Sequence, residues 1–372
     1  MQNNLDKKIE VGTLKEGEEN LSFFYEIDVT RFWVLNYMDQ QRKISQRAVI
    51  IISGATATGK SALALELAKK ISGEIINADI GSFYTPLTVG TAKPDWRSDS
   101  QQSIDGKHVE IKHHLFDILD KPENFTVVQF RQRLTVLFEE IWQRGNTPIL
   151  VGGSAFYIKS FFYVQQDIPD TFEHTNELEA SLCSTQELWE DLNVVDSVRA
   201  CSINQGDRYR IIRALAIFKA TGKKPSSFAQ FASPLAPFYF VVCARQRDEL
   251  YEKIDNRVVQ MLQGGWQDEV NKLRGTEWEA FLNKKKLIGY DDLLEFDYKR
   301  EYLSDAMIAK IQQKTRNYAK RQIIFLNKLQ RELKDAIKSG KCVGSVNEIC
   351  LTLCDVGLYI NGLSEQILKR FG

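Results

Sequence analysis

The stretch from Ala48 to Ser61 constrains the fold of this chain more than any other. It reads AVIIISGATATGKS, so an apolar run ends in a loop of the form G-x-x-x-x-G-K-[ST], and the helix-like run SALALELAKKIS continues from that serine. This order predicts a P-loop, because backbone N–H groups and the positive end of a helix then surround a phosphate chain. A simple glycine-rich turn is the alternative, and the complete context disfavours it. The motif leaves open whether the ligand is a nucleotide, another diphosphate or a polyphosphate.

Two side chains of the predicted phosphate loop are expected to carry its chemistry. Lys60 is expected to hold a terminal phosphate as a point charge, and Ser61 to offer its hydroxyl to Mg²⁺. The whole loop consists of Gly54, Ala55, Thr56, Ala57, Thr58, Gly59, Lys60 and Ser61. We therefore expect a Mg²⁺-dependent site for a nucleotide such as ATP or for another diphosphate.

A second predicted strand ends in a carboxylate beside this loop. The helix after the P-loop is expected to close at Gly73 as a C′ glycine, and EIINAD, from Glu74 to Asp79, is typical of a short buried strand. Ligands of open α/β sheets lie at the carboxyl ends of the strands. Asp79 is therefore predicted to be a general base or a Mg²⁺ contact, the alternative being a helix N-cap or a turn residue.

Strands and helices continue to alternate after Asp79. Thr126 and Gln129 predict a capping box before an amphipathic helix, and PILVGGS predicts another buried strand that brings Ser154 to the same sheet edge. The fold class is therefore α/β, a P-loop three-layer α/β/α core with a parallel sheet plus a helical insertion domain. The predicted divisions are an N-terminal extension at 1–46, a core at 47–164 and 238–330, the insertion at 165–237 and a C-terminal helical tail at 331–372.

Charge and composition describe an ordinary globular protein. The 372 residues contain 49 Lys and Arg against 49 Asp and Glu, so the net charge of zero does not indicate a polyanionic partner for the chain as a whole. No stretch reaches the roughly 20 apolar residues of a membrane span. The chain does not begin with a signal-peptide pattern, so the expected location is the cytoplasm.

Cysteine and histidine spacing does not predict a metal centre. The six cysteines contain no C-x-x-C pair, so we expect reduced thiols, with Cys350 and Cys354 buried in an apolar run. His113 and His114 are adjacent, and neighbouring side chains on a strand point apart. A structural role is therefore predicted for both histidines.

Two basic segments are candidates for contact with nucleic acid. Arg210 and Arg213 are three residues apart on a predicted helix and share a face suited to phosphate. From Ala306 to Arg331 the chain carries seven basic residues and no acidic residue, beside an apolar stripe formed by Ile308, Ile311, Tyr318, Phe325 and Leu329. A solvated charged surface is the alternative for both segments.

Nine segments taken together resemble the tRNA dimethylallyltransferases, the tRNA isopentenyltransferase family. In chain order they are GATATGKS, EIINAD, VGTAKP, HHLFDILD, PILVGGSAFY, GDRYRIIRALAIFKATGKKPS, RVVQMLQGGWQDEV, LIGYDDLL and TRNYAKRQ, and they span about residues 48 to 328. The resemblance implies a P-loop core whose helical insertion swings onto tRNA. It also implies transfer of a dimethylallyl group from dimethylallyl diphosphate to N6 of the adenosine next to the anticodon (position 37), with release of diphosphate.

The resemblance also gives roles to individual residues. Asp79 matches the family's catalytic carboxylate, Ser154 stands where the family has Thr in G-G-T, and Arg210 and Arg213 match the Q-R-x-x-R segment that meets tRNA. These four are the implied catalytic residues, with the P-loop and Mg²⁺ neutralising the leaving diphosphate. The implied contacts to tRNA are Asp79, Ile80, Gly81, Ser82, Tyr209, Arg210, Ile211, Ile212 and Arg213. The implied partners are tRNA and dimethylallyl diphosphate, and the protein is expected to be a monomer without membrane contact.

This chain departs from the family pattern at several places, including 204–207, Asp291 and Phe325, and two departures lie at implied site residues. Where the family strand end reads A-D-S-R-Q, residues 78–82 read A-D-I-G-S, and Tyr209 stands where a Gln precedes the first arginine. Three alternatives to the tRNA prenyltransferase hypothesis follow: a prenyltransferase of free adenine nucleotides, a catalytically impaired tRNA-binding relative, and a P-loop nucleotide kinase. The insertion and the basic helix argue against a free nucleotide as substrate, and retention of the P-loop, Asp79 and both arginines argues against lost turnover.

Overall fold

A computed structural model of the protein describes residues 47–99, 101–104, 107–165, 171–228, 230–296, 304–350, 362–367 and 369. The predicted N-terminal extension at 1–46 and Cys354 lie outside the described residues. Within the described ranges, every helix is too short or too polar to pass through a lipid bilayer.

Strands and helices alternate along the described chain. The strands are β1 (Val49–Gly54), β2 (Gly73–Asn77), β3 (Gln101–Ile104), β4 (Lys107–Glu110), β5 (His113–His114), β6 (Thr147–Val151), β7 (Tyr163–Gln165), β8 (Gln230–Ala232), β9 (Phe238–Ala244) and β10 (Gly344–Cys350). The α-helices are α1 (Lys60–Ile71), α2 (Trp96–Asp99), α3 (Val127–Gln143), α4 (Ala155–Phe162), α5 (Phe172–Ala180), α6 (Thr185–Val195), α7 (Ser197–Cys201), α8 (Arg208–Thr221), α9 (Arg247–Gln263), α10 (Trp266–Leu273), α11 (Glu277–Lys285), α12 (Tyr290–Glu295) and α13 (Asp305–Lys338). Short 3₁₀ turns cover Ile80–Phe83 and Pro225–Ser227, and 362–367 is helical.

Six of these strands form one parallel sheet with β1 near its middle. The order across the sheet is β10, β9, β1, β6, β2 and β5, and each neighbouring pair is parallel. In this register Ile51 of β1 lies between Leu150 of β6 and Phe240 of β9. The carboxyl ends of β1, β6 and β2 therefore lie side by side, and the loops that follow them share one edge of the sheet. The predicted α/β fold with a parallel sheet is confirmed.

Helices cover both faces of the sheet because the central strands are apolar on both faces. Val49 and Ile51 of β1 pack into one hydrophobic core with α3, α4 and α13. Ile50 and Ile52 pack on the other face with α1 and the 362–367 helix. Side chains alternate across a strand, so a strand buried on both faces is a continuous apolar run.

A group of helices with its own apolar core lies between β7 and β8. These two strands pair antiparallel, with Tyr163 opposite Ala232, so the chain leaves and returns through one short ribbon. Helices α5 to α8 follow one another in the chain between β7 and β8. The buried residues that they share include Leu178, Leu188, Leu192, Ile211, Ile212 and Leu215.

Two sequence predictions about single residues are wrong. Helix α1 ends in a left-handed turn at Ser72, with φ of 51°, and Gly73 already belongs to β2. Gly73 allows close packing instead, since a Cβ added there would lie 2.4 Å from Cδ1 of Ile149. Cys350 is exposed rather than buried, because side chains alternate along the edge strand β10 and Ile349 takes the inward position.

The buried carboxylate Glu74 ties β2 to its neighbours. It accepts hydrogen bonds from Nε and Nη2 of Arg144, both at 2.8 Å, and from Asn146 Nδ2 at 2.7 Å, and it lies 2.7 Å from Nε2 of His114. Burial opposes ionisation of Glu74, but the hydrogen bonds outweigh it and lower its pKa to about 2. The predicted structural role of His114 is confirmed by this contact.

Glu74→Gln is expected to destabilise the protein in a pH-dependent way. Lowering the pKa from 4.5 to about 2 stabilises the fold by about 3 kcal/mol above pH 4.5, and this contribution disappears as the pH falls towards 2. Urea unfolding of both proteins at several pH values should show a difference that shrinks over that interval. The exposed Glu295→Gln serves as the control, and a difference for Glu74→Gln that is independent of pH would contradict the assignment.

Candidate active site

The P-loop joins β1 to α1 and is held in shape by its own hydrogen bonds. Thr58 Oγ1 donates to the Ala55 carbonyl oxygen at 2.8 Å, and Lys60 Nζ donates to the same oxygen at 3.0 Å. Ala57 adopts a left-handed backbone conformation, with φ of 62°. Lys60 is only 8% exposed, and burial lowers the pKa of its ammonium group. The loop is therefore a compact cradle that contains one buried amine.

Asp79 follows β2 and is fixed by hydrogen bonds to the end of β6. Its Oδ1 accepts from the Gly153 N–H at 2.7 Å and from the Ser154 hydroxyl at 3.3 Å. Its own N–H donates to Asn77 Oδ1 at 2.8 Å, and Ser154 Oγ accepts from the Ile80 N–H at 3.0 Å. The structure thus brings Asp79 and Ser154 together, as the adjacency of β2 and β6 requires.

A second cation, the partly buried Arg257, reaches the P-loop from α9. Arg257 donates from Nη1 to Thr56 Oγ1 and from Nη2 to the Ala92 carbonyl oxygen, both at 3.3 Å. Burial lowers the pKa of Arg257, while the charge of Asp79 raises it. The same two opposing effects act on the pKa of Lys60. Lys60, Arg257 and Asp79 therefore form one electrostatically coupled group.

Helix α13 closes the site with two polar side chains, the buried Gln322 and the partly buried Tyr318. Gln322, only 4% exposed, accepts from the Thr56 N–H through Oε1 at 2.9 Å and donates from Nε2 to the Gly153 carbonyl oxygen at 2.8 Å. It therefore links the P-loop to the turn that holds Asp79. Burial, with the charge of Asp79, raises the pKa of Tyr318 to about 12, so its phenol remains a hydrogen-bond donor.

Sequence reasoning misses Arg257 and Gln322, and it treats Tyr318 only as part of an apolar stripe. A signal for the first two was present in the helical periodicity. Arg257 lies three residues after the buried Ile254, and Gln322 lies three residues after the buried Ala319. A polar residue on the apolar face of a helix must find buried partners, which makes such positions candidates for a site.

These groups line a cavity of about 700 Å³, a size typical of ligand sites. Its wall includes Thr56, Lys60, Ser61, Asp79, Ile80, Gly81, Ser82, Ser154, Arg257, Tyr318 and Gln322. Further cationic side chains on the wall are Arg245, Lys253, Lys286 and Arg321. Among the described residues of this wall, Asp79 is the only carboxylate. The cavity therefore favours an anionic ligand and places one proton acceptor beside it.

The structure does not bring Arg210 and Arg213 to this cavity. Both are exposed on α8, and Arg210 forms an ion pair with the N-cap aspartate of that helix. Ile211 and Ile212 are 0% and 3% exposed and belong to the core of the α5–α8 group. Helix α8 therefore presents Tyr209 and the two arginines to solvent, while the isoleucines anchor it.

Three segments of the resemblance that are distant in sequence meet at the cavity wall. Glu269 of α10 accepts from the consecutive backbone N–H groups of 88–90 at 2.8, 2.6 and 3.2 Å, and from the Tyr290 hydroxyl at 2.7 Å. Trp266 lies against Gly90, where an added Cβ would be 1.9 Å from the indole nitrogen. VGTAKP, GGWQDEV and LIGYDDLL are therefore parts of one packed unit.

Glu269→Ala is expected to lower the free energy of unfolding by about 3 kcal/mol. The change leaves three backbone N–H groups and one buried hydroxyl without their charged acceptor, and hydrogen bonds to charged groups are the stronger ones. Urea denaturation at neutral pH measures the effect. Glu277→Ala, an exposed glutamate at the start of α11, is the matched control, and equal effects for the two variants would contradict the role of Glu269.

The basic segment of α13 is partly neutralised within the protein. Lys310 pairs with Asp292 at 2.7 Å, and Lys314 pairs with Asp292 at 2.7 Å and with Asp291 at 3.1 Å. Arg316 pairs with Asp255 of α9. Carboxylates of α9 and α12 therefore neutralise the first part of the predicted basic surface. The remaining basic surface is the part of α13 that follows Arg316.

Comparison with known proteins gives one consistent result. A family model described as IPP transferase matches residues 82–329. The tRNA dimethylallyltransferase 1 of Citrifermentans bemidjiense is 34% identical over 293 residues, which cover 78% of this chain and 91% of that relative. The tRNA dimethylallyltransferase of Sulfurihydrogenibium is 35% identical over 294 residues, which cover 78% of this chain and 92% of that relative. The similarity therefore extends over nearly the whole length of these relatives.

Solved structures agree with the sequence matches. The tRNA isopentenylpyrophosphate transferase of Bacillus halodurans superposes with a TM-score of 0.56 at 28% identity, covering 87% of this chain and 98% of the other. A eukaryotic dimethylallyltransferase acting on tRNA superposes with a TM-score of 0.66 at 25% identity, covering 86% of this chain and 77% of the other.

Proposed function

The chain belongs to the IPP transferase family, and from that premise we propose that it transfers a dimethylallyl group from dimethylallyl diphosphate to N6 of the anticodon-adjacent adenosine of tRNA. The names of the relatives supply tRNA and the dimethylallyl group, and the diphosphate that carries this group is part of the proposal. The observation that carries the proposal is the cavity in which the P-loop, the buried Lys60, the partly buried Arg257 and the carboxylate of Asp79 meet. That combination suits a reaction in which a diphosphate leaves while an amine loses a proton.

The diphosphate is proposed to bind the P-loop, with Lys60 and Arg257 as its positive partners. Lys60 is buried and Arg257 is partly buried, and a cation held in a region of low dielectric stabilises developing negative charge more than one in water. As the allylic C–O bond breaks, the electron pair goes to the diphosphate oxygen, beside these two groups. Their positions are set by hydrogen bonds to the loop itself and to Thr56, so the site is organised before the reaction.

Mg²⁺ is proposed to bind at Ser61. The serine is exposed in the first turn of α1 and lines the cavity. The described residues contain no group of three His, Cys, Asp or Glu side chains able to hold a metal. This fits an ion that takes one or two protein ligands and several from phosphate and water. When bound, Mg²⁺ would neutralise charge on the leaving diphosphate.

Asp79 is proposed to take the proton that N6 of adenine loses. Its Oδ1 is held by the Gly153 N–H and the Ser154 hydroxyl, which assigns proton transfer to Oδ2. The N6 nitrogen forms a bond to the allylic carbon, the C–O bond to diphosphate breaks, and one proton moves to Asp79. Adenine must be flipped out of its loop to reach this carboxylate.

The tRNA is proposed to contact two separate surfaces. The 3₁₀ turn of Ile80, Gly81 and Ser82 lines the cavity, and a Cβ added at Gly81 would lie 2.6 Å from Cγ2 of Thr91. The exposed Tyr209, Arg210 and Arg213 of α8 would bind the RNA backbone away from the reacting base. The protein is proposed to act as a monomer, since one chain supplies every group invoked. Its proposed location is the cytoplasm.

The test is incubation of the purified protein with labelled dimethylallyl diphosphate, Mg²⁺ and either unmodified tRNA or AMP. We expect the label to enter tRNA and not AMP. Label in AMP would assign the protein to the class that prenylates free nucleotides, and label in neither substrate would contradict the proposed reaction.

A further inference from the structure

The side-chain amide of Gln322 connects two backbone groups of the site that are distant in sequence. Its Oε1 accepts from the Thr56 N–H of the P-loop at 2.9 Å, and its Nε2 donates to the Gly153 carbonyl oxygen at 2.8 Å. The first partner can only donate and the second can only accept, so the orientation of the amide is fixed. Gln322 is 4% exposed, and hydrogen bonds shielded from water are the stronger ones.

Gly153 extends this connection to Asp79. Its N–H donates to Oδ1 of Asp79 at 2.7 Å, while its carbonyl oxygen accepts from Gln322. A Cβ added at Gly153 would lie 2.5 Å from Nε2 of Gln322 and 3.4 Å from Oδ1 of Asp79, so a side chain at this position would displace the amide. A movement of Gln322 therefore reaches the carboxylate through a single residue.

The other end of the connection lies where a bound phosphate would act. Thr56 is held by Gln322 at its N–H and by Arg257 at its Oγ1, the second bond being 3.3 Å long. A diphosphate in the loop would draw the guanidinium of Arg257 towards itself, because hydrogen bonds between charged partners are stronger than one to a neutral hydroxyl. Thr56 is therefore the point at which ligand binding would be felt by Gln322.

We propose that Gln322 is a positioning residue that couples diphosphate binding in the P-loop to the placement of Asp79 for proton transfer. The inference rests on the proposed function for the role of Asp79 as a base. A base must lie within hydrogen-bond reach of the proton that it accepts, and a misplacement of about 1 Å can cost about 100-fold in rate. Asp79 is then fully aligned only when the prenyl donor is bound.

The experiment measures single-turnover transfer to tRNA by Gln322→Met, both with Asp79 present and in the Asp79→Asn background. Methionine is similar in length to glutamine and forms neither hydrogen bond. We expect the rate to fall by about 10- to 100-fold when Asp79 is present. In the Asp79→Asn background we expect no further loss, because misplacing a residue that cannot act as a base has no effect on proton transfer. Equal losses in the two backgrounds would overturn the inference.

Gln330→Met is the matched control. Gln330 lies on the same helix, is 5% exposed and donates to Glu348 of β10 at 3.3 Å, and it lies outside the cavity wall. It should leave the transfer rate unchanged in both backgrounds. A loss equal to that of Gln322→Met would mean that any buried glutamine of α13 has the same effect, and would also overturn the inference.

A second measurement needs neither a variant nor turnover. Hydrogen exchange of the Gly153 N–H, the donor to Asp79, is followed by mass spectrometry of peptides spanning 147–157, with and without inorganic diphosphate and Mg²⁺. We expect diphosphate to slow this exchange. Unchanged exchange in protein that calorimetry shows to be saturated with diphosphate would overturn the inference, and so would a lack of diphosphate binding. Slower exchange without prenyl transfer to tRNA would support the coupling and refute the proposed function.

Discussion

Asp79→Asn is expected to slow transfer to tRNA by about 10²- to 10⁴-fold, the contribution of a positioned general base. The asparagine amide keeps the shape of the carboxylate and an oxygen that can accept from the Gly153 N–H, a bond of 2.7 Å in the structure. It has no capacity to take a proton from N6. Affinity for dimethylallyl diphosphate should therefore change little. Single-turnover rates and calorimetric titration with the diphosphate measure the two quantities separately.

Asp248→Asn is the matched control for this prediction, because Asp248 is an exposed aspartate in the first turn of α9. It should leave both the rate and the affinity unchanged. Equal losses of rate and diphosphate affinity in Asp79→Asn would contradict the role of Asp79 as a base and would indicate a structural or metal-binding role.

Lys60→Met is expected to reduce transfer by about 10²- to 10³-fold and to weaken diphosphate binding as well, because it removes a charge that acts in both the ground state and the transition state. Methionine matches the buried aliphatic stem of Lys60, so the P-loop should keep its shape. The hydrogen bond from Nζ to the Ala55 carbonyl oxygen is lost. Rates under saturating tRNA and titration with diphosphate measure the effect.

Lys69→Met provides the comparison, since Lys69 lies on the same helix and pairs at 2.5 Å with Glu66 on its partly exposed side. We expect nearly unchanged diphosphate affinity for that variant. If Lys60→Met bound diphosphate as tightly as the unaltered protein, the P-loop would not be the diphosphate site.

The parallel core was predictable because its signals are local. The apolar run before Gly54 forms β1, and strands β2 and β6 follow from equally short runs. Once these strands are parallel neighbours, Asp79 and Ser154 must meet at one edge, and they do so within hydrogen-bond distance. Short-range patterns thus predict that Asp79 and Ser154 share the site.

The remaining groups of the site were not predictable because their partners are distant in sequence. Arg257 and Gln322 contact Thr56 across about 200 and about 270 residues of chain. Likewise, Lys310 and Lys314 look like a nucleic-acid surface until Asp292 is seen beside them. Helical periodicity indicates that Arg257 and Gln322 face inward, but only the packing of α9 and α13 shows what they contact.

The measurement that tests the central claim most directly is mass spectrometry of nucleosides from tRNA treated with the protein, dimethylallyl diphosphate and Mg²⁺. We predict a nucleoside with the mass of adenosine plus one dimethylallyl group, mapped to the adenosine next to the anticodon. A tRNA with guanosine at that position should remain unmodified, and so should tRNA treated with Asp79→Asn in the same time. An unmodified adenosine in the intact tRNA, or equal modification of the guanosine-substituted tRNA, would contradict the account.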